Sequence, residues 1–120
     1  MSTILVVEDT PANLALVSKL LNAAGHAVVE ARNAVDGIAL AREHHPDLVL
    51  MDLGLPDMDG TSALREIRAD RDSADIPVVA FTASAMHGDR DRALAAGFDG
   101  YLSKPIDFAT FTQTIGEMLT

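Results

Sequence analysis

The stretch LVLMDLGLPDMDG, residues 48–60, indicates the fold of this chain. Its first four residues, 48–51, are all apolar, which is typical of a strand covered on both faces by helices. The strand ends at an acid, Asp52, and the chain then turns through Gly54 and Pro56. An acid at the end of a buried strand indicates that something at that edge of the sheet needs a carboxylate.

Two further acids in the stretch have ordinary structural interpretations. Asp59 directly precedes Gly60, where a helical pattern begins, so we expect it to cap the third helix. Asp57 lies in LPDMDG and is interpreted as part of the turn. Asp52 is therefore the candidate for chemistry among the three.

Short apolar runs alternate with helical patterns along the whole chain. The predicted strands cover residues 4–7, 27–31, 48–51, 77–83 and 100–103, and the predicted helices cover 11–25, about 35–45, 60–68, 88–96 and 108–118. Val35, Ile38 and Ala39 mark the second helix, and the polar connection 68–75 is expected to be a solvated loop. Five strands alternating with five helices predict βαβ units, hence a parallel α/β sheet with helices on both faces.

Composition limits the function classes. The chain has 120 residues, 48% of them hydrophobic, which is enough for one domain spanning 1–120. A net charge of −9 argues against direct nucleic-acid binding, and the absence of cysteine excludes thiolate chemistry. No basic leader precedes the first apolar run, and no apolar stretch approaches the roughly 20 residues that span a membrane. We therefore expect a cytoplasmic protein with no membrane partner.

The predicted sheet gathers reactive side chains at one edge. Glu8 and Asp9 follow the first strand, Asp52 ends the third, Thr82 ends the fourth and Lys104 follows the fifth. Ligands of open α/β sheets bind beyond the carboxyl ends of the strands. Three carboxylates there would repel one another unless a cation such as Mg²⁺ joined them. With a cation bound, Asp52 is a candidate nucleophile toward phosphorus, beside an ammonium and a hydroxyl.

Each of these residues also has a simpler interpretation. Glu8 and Asp9 could cap the first helix, which begins at Pro11. Thr82 could be an ordinary strand threonine, and Lys104 could be a surface lysine before a proline turn. Their joint position at four strand ends favours a site.

The segments ILVVEDTPANLALV, PDLVLMDLGLPDMDG, PVVAFTASA and GYLSKPID resemble the receiver domains of two-component response regulators. The resemblance covers essentially the whole chain and extends to regulators of the DivK type. It implies a flavodoxin-like, doubly wound (βα)5 fold with five parallel strands in the order 2-1-3-4-5. It also implies a bacterial phosphorelay protein.

The resemblance assigns a role to each residue at the sheet edge. It implies that Asp52 accepts the phosphoryl group and that Glu8, Asp9, Asp52 and the backbone carbonyl of Gly54 bind Mg²⁺, for which Mn²⁺ could substitute. The acidic pair is Glu-Asp where many relatives have Asp-Asp.

The resemblance also implies a switch. Lys104 and the backbone of Ala83 would contact the phosphoryl group, Thr82 would turn toward it, and Tyr101 would change rotamer with the threonine. A half-buried tyrosine at a strand end is also common without such a role.

By the same resemblance, partners are proteins. A histidine kinase or histidine phosphotransferase would donate the phosphoryl group, and a downstream target would bind the fourth helix, fifth strand and fifth helix. No output domain is expected within these 120 residues, and a monomer or a weak phosphorylation-dependent dimer is expected. The chain could also be the receiver portion of a hybrid histidine kinase, or signal by binding without phosphorylation.

Two other classes fit less well. A small aspartate-nucleophile phosphatase usually has a second acid two residues after the nucleophile, where this chain has Gly54, and needs a cap domain. A flavodoxin-like or dinucleotide-binding module would need a phosphate-binding glycine loop after the first strand, and none follows it. We therefore do not expect an enzyme with a separate substrate.

Overall fold

The computed structural model describes residues 2–82, 89–103 and 108–119, which form five strands and five helices in strict alternation. The strands are β1 (Thr3–Val7), β2 (Ala27–Ala31), β3 (Leu48–Asp52), β4 (Val78–Thr82) and β5 (Gly100–Ser103). The helices are α1 (Pro11–Ala23), α2 (Ala34–His44), α3 (Gly60–Ala69), α4 (Asp89–Ala96) and α5 (Phe108–Leu119). The predicted elements are confirmed, with boundaries within a few residues of those expected.

All five strands are parallel and lie in the order β2-β1-β3-β4-β5. This confirms the doubly wound (βα)5 fold. Every residue of β3 and β4 is buried, whereas β2 at the sheet edge is mostly half-buried. The continuous apolar runs of the sequence are therefore the central strands, as expected for a sheet with helices on both faces.

Alternate residues of each strand pack into two separate cores. Leu5 and Val7 point to the face covered by α2, α3 and α4, whereas Ile4 and Val6 point to the face covered by α1 and α5. This follows from the two-residue period of a strand. The first and last helices thus share one face of the sheet.

Helix ends follow the local chemistry of the sequence. Pro11 begins α1, where its missing N–H is not needed. Asp59 caps α3 by accepting from the backbone N–H of Ser62, as predicted. At the end of α2, His45 adopts a left-handed conformation with φ of 48° directly before Pro46. A proline disfavours the helical conformation in the residue before it, so the helix stops there.

Only one of the three apolar residues that mark α2 in the sequence is buried. Ile38 is buried, but Val35 is 59% exposed and Ala39 is also exposed. The buried positions are instead Ala34, Gly37, Ile38 and Ala41. Because the small residues Ala34 and Gly37 face the sheet, α2 can approach β1 closely, and the larger valine is left on the outside.

The polar connection after α3 is also not simply solvated. Ser73 is fully buried, and its hydroxyl donates to the carbonyl of Ile67 at 2.7 Å. The Arg68 guanidinium donates to the backbone carbonyls of Ala74 and Ile76 and pairs with Asp99 at 2.8 Å. These contacts hold the connection against the amino-terminal edge of the sheet.

Candidate functional site

The acids at the ends of β1 and β3 form one cluster. These two strands are neighbours in the sheet, so Glu8 and Asp9 on one side meet Asp52 on the other. One carboxylate oxygen from each residue lies within 4.8 Å of the others. Glu8 is fully buried and Asp52 is 5% exposed, while Asp9 is more exposed than either. The structure therefore brings together the three acids that the sequence singled out.

Neighbouring groups hold two of these carboxylates in place. The side-chain amide of Asn13, in the first turns of α1, donates to Glu8 Oε1 at 2.9 Å. The backbone N–H of Gly54 donates to Asp52 Oδ1 at 3.0 Å. Sequence reasoning missed Asn13, although its position in the helix that directly follows the acidic pair was a usable signal. Both bonds stabilise a charged carboxylate in a buried position.

The donor set of the cluster fits a hard divalent cation. Burying several carboxylates together is unfavourable because they repel and lose hydration, and a cation with oxygen ligands offsets both costs. Mg²⁺ accepts one or two protein carboxylates and retains waters in its remaining positions. The three oxygens within 4.8 Å, two of them from nearly inaccessible residues, are consistent with such an ion.

A cleft of about 420 Å³ lies beside the cluster, between the loop after β3 and α4. Thr82 is 6% exposed at the end of β4 and contributes to this cleft, as does Gly54. Arg92 of α4 also lines it. Sequence reasoning missed Arg92, because nothing in the polar stretch DRDRALAA indicates which arginine faces the cleft. The remaining lining residues are Leu53, Thr61, Ala93 and Phe98.

Of the predicted switch residues, the structure describes Thr82 and Tyr101. Tyr101 lies on β5, is half-buried and packs against the core on the side of α2, α3 and α4. Thr82 and Tyr101 lie on adjacent strands, because β4 pairs with β5. The predicted phosphoryl contacts Lys104 and Ala83 lie outside the described residues.

Asp57 lies in the turn that the sequence predicted, but its carboxylate binds another element. Oδ1 accepts from the backbone N–H of Ala34 at 2.9 Å, and Oδ2 accepts from that of Val35 at 3.0 Å. These hydrogen bonds, that of Ala34 first, lower the pKa of Asp57 below its usual value. The loop after β3 is therefore attached to the first turn of α2.

The second acid of the turn has a local partner instead. The Asp59 carboxylate accepts from the backbone N–H and from the hydroxyl of Ser62, both at 2.9 Å. The backbone hydrogen bond is the larger cause of a lowered pKa of Asp59. Two acids two residues apart thus stabilise the starts of two different helices.

Comparison with known families agrees with this geometry. The response regulator receiver domain family matches residues 4–116. The chain belongs to this family. The polar-differentiation response regulator DivK of Brucella ovis is 39% identical over 117 residues, which cover 98% of this chain and 95% of DivK. The predicted resemblance, including that to DivK-type regulators, is confirmed.

Solved structures of receiver domains superpose closely on this receiver. The receiver domain of sensor histidine kinase PA1611 from Pseudomonas aeruginosa has a TM-score of 0.89 and 36% identity, with 98% of this chain and 97% of that chain covered. That structure has a magnesium ion coordinated in its active-site cleft. The chemotaxis response regulator CheY4 of Vibrio cholerae has a TM-score of 0.91 and 25% identity, with 99% of each chain covered.

Family membership makes this a signalling protein of a two-component system. Receiver domains of this kind interact with histidine kinases or phosphotransfer partners. Within the described residues, no helix has the length and apolar character needed to cross a membrane.

Proposed function

We propose that this receiver accepts a phosphoryl group on Asp52 from a phosphohistidine of a partner kinase or phosphotransferase, with Mg²⁺ bound. The observation that supports this most directly is the buried Asp52 carboxylate within 4.8 Å of two further acids at the sheet edge. The magnesium-containing receiver domain of PA1611, at 36% identity, supports the choice of cation. Mn²⁺, which also accepts oxygen ligands, is expected to substitute.

The transfer is a displacement at phosphorus. An Asp52 oxygen attacks the phosphorus atom and forms a P–O bond while the P–N bond to the donor histidine breaks. The departing nitrogen keeps the electron pair of that bond, and the imidazole, protonated on its other nitrogen, leaves as neutral histidine. Later attack by water on the acyl phosphate would restore the Asp52 carboxylate and release inorganic phosphate.

The cation would be held by Glu8, Asp9, Asp52 and the carbonyl of Gly54. Bound there, it would neutralise the charge of the acids and of the transferred group. The Gly54 N–H already donates to Asp52 Oδ1, which orients the carboxylate. The side-chain amide of Asn13 likewise orients Glu8 by donating to its Oε1.

Phosphorylation would then bias a two-state equilibrium. Thr82 would turn toward the phosphoryl group together with Lys104 and the backbone of Ala83, and Tyr101 would follow. The surface of α4, β5 and α5 would change its affinity for a downstream protein. Thr82 and Tyr101 lie on neighbouring strands, which supports direct coupling between them.

Several finer points belong to the same proposal. The receiver acts in the cytoplasm, and its phosphorylated form is a monomer or a weak dimer. It catalyses only its own phosphorylation and dephosphorylation. The similarity to the receiver of a sensor histidine kinase favours, as a second candidate, the receiver portion of a hybrid kinase with the same chemistry.

Intact mass spectrometry tests this function. The protein is incubated with phosphoramidate, with and without Mg²⁺, beside Asp52→Asn and the matched loop variant Asp59→Asn. We expect one phosphoryl group on the wild type and on Asp59→Asn, only with Mg²⁺, and none on Asp52→Asn. Equal phosphorylation of Asp52→Asn would reject Asp52 as the acceptor. Mg²⁺ binding without any phosphorylation, also with a phosphorylated histidine phosphotransferase, would favour a receiver that signals by binding alone.

A further inference from the structure

We propose that Asp57 is a positioning residue for the cation site, because it ties the loop that carries Gly54 to the first turn of α2. The inference rests on the proposed function, since it concerns the affinity of the same site for Mg²⁺. Asp57 does not itself belong to the cluster of acids. Its effect would be to fix where the loop backbone lies relative to Glu8 and Asp9.

The tie is a two-point contact between distant parts of the chain. Asp57 Oδ1 accepts from Ala34 N at 2.9 Å and Oδ2 accepts from Val35 N at 3.0 Å. These donors lie 23 and 22 residues earlier in the sequence. Because both carboxylate oxygens are engaged, the contact fixes the orientation of the side chain as well as its distance. The amino-terminal end of a helix further favours the negative charge.

Through α2 and β2, this contact is linked to the acidic pair Glu8 and Asp9. The first turn of α2 follows β2 after a short connection, and Ala31 at the end of β2 accepts from the backbone N–H of Glu8 at 3.0 Å. Ala31 also pairs in register with Val7, the last residue of β1. The position of the α2 amino terminus is therefore linked to the backbone that carries Glu8 and Asp9.

Through the loop after β3, the contact is linked to the phosphoacceptor Asp52. Gly54 lies between Asp52, to which its N–H donates, and the tethered Asp57. Of the residues between them, Leu55 is buried but Pro56 is exposed. The loop is thus held at Asp52, at Leu55 and at Asp57. Loss of the last contact removes one of the three points that fix the loop, so the backbone around Gly54 is held less firmly.

A purely local role as a helix cap explains less. Helix α2 already has its own cap, because Asn33 Oδ1 accepts from Asp36 N at 2.8 Å. Asp57 adds the two earlier N–H groups of the same turn from another segment. Removing Asn33 would therefore weaken α2 alone, whereas removing Asp57 would weaken α2 and release the loop. This difference provides the matched control.

The test measures the Kd for Mg²⁺ by isothermal titration calorimetry, without any phosphodonor. It compares the wild type with Asp57→Ala and Asp57→Asn, and with two controls, Asn33→Ala and Asp59→Ala. Asn33→Ala weakens the first turn of α2, and Asp59→Ala removes the same charge from the same loop. We expect the Kd for Mg²⁺ to rise about tenfold in Asp57→Ala, as when support behind a metal ligand is lost. Asp57→Asn keeps one acceptor oxygen and is expected to show a smaller rise.

The controls separate position from stability and charge. Both controls are expected to bind Mg²⁺ with an affinity within about twofold of the wild type, because neither breaks a contact between the loop and α2. Amide hydrogen exchange at Ala34 and Val35 is expected to accelerate in Asp57→Ala. At saturating Mg²⁺, phosphorylation of Asp57→Ala is expected to reach the wild-type extent, since Asp57 contacts no reacting group.

Four outcomes would overturn the inference. An unchanged Kd in Asp57→Ala would show that the tie does not position the site, even if the wild type binds Mg²⁺ and is phosphorylated. Equal weakening in Asp59→Ala would assign the effect to charge, and equal weakening in Asn33→Ala would assign it to the stability of α2. Absence of Mg²⁺ binding by the wild type would remove the proposed function and this inference together.

Discussion

Replacing Asp52 by asparagine is expected to stabilise the protein when no divalent cation is present. Asp52 lies with Glu8 and Asp9 in a cluster in which one carboxylate oxygen of each residue lies within 4.8 Å of the others. Asparagine has nearly the same shape and can still accept the hydrogen bond from Gly54 N through its carbonyl oxygen. The substitution therefore removes a charge with little change in packing.

The size of the effect follows from the distance between the acids. Two unit charges 4.8 Å apart at an effective dielectric constant of about 20 repel by about 3.5 kcal/mol. Water around Asp9 screens part of this repulsion, so we expect a net gain of about 1–2 kcal/mol in the free energy of unfolding. For a chain of this length, that corresponds to a rise in Tm of about 4–8 °C.

Thermal unfolding followed by circular dichroism measures this directly, which suits a chain with no tryptophan and one tyrosine. Asp72→Asn provides the control, because it changes the net charge equally at an exposed position in the connection after α3. It is expected to leave the Tm nearly unchanged. Added Mg²⁺ is expected to raise the Tm of the wild type by binding the folded state, and to raise that of Asp52→Asn much less.

A particular combination would refute the reasoning. If Asp52→Asn unfolded at or below the wild-type temperature without Mg²⁺, while Asp72→Asn behaved as the wild type, repulsion within the cluster would not destabilise the fold. The carboxylates would then share protons or be neutralised by another group. The argument that the cluster needs a cation would lose its physical basis.

Two glycine substitutions and one pH profile provide further tests. Gly37→Ala is expected to cost about 1–3 kcal/mol in the free energy of unfolding, because the added Cβ would lie 2.7 Å from Val7 Cγ2. Gly116→Ala meets nothing within 4 Å and is expected to add about 0.5–1 kcal/mol, which urea titration of both variants would measure. Asp57 and Asp59 have lowered pKa values in the folded state. Their contribution to stability is therefore present near neutral pH and is lost as the pH falls below about 4. The double variant with Asp57→Asn and Asp59→Asn is expected to lose less Tm on acidification than the wild type does.

The sequence predicted the elements of the fold because their signals are local. The apolar run 48–51 lies in the buried β3, and the strict alternation of strands and helices implied a parallel sheet. The cap at Asp59 was also predictable, since its partner Ser62 is three residues away. The inward face of α2 was harder to predict from the sequence, because the small residues Ala34 and Gly37, rather than Val35, face the sheet. Tight packing of a helix on a strand is decided by the neighbour, which a single helical pattern does not contain.

The acids of the site were predictable from the topology, whereas the contacts of the groups that support them were not. A parallel sheet brings the ends of its strands together, so Glu8 and Asp52 could be placed at one edge from strand order alone. The contact of Asp57 with Ala34 joins segments 23 residues apart and has no counterpart in any local pattern. Asp57 and Asp59 are the same residue type in the same turn, but one binds its own helix and the other binds α2. The topology therefore predicts which residues meet at the site, whereas the contacts that hold them at a given distance depend on how each loop crosses the sheet edge.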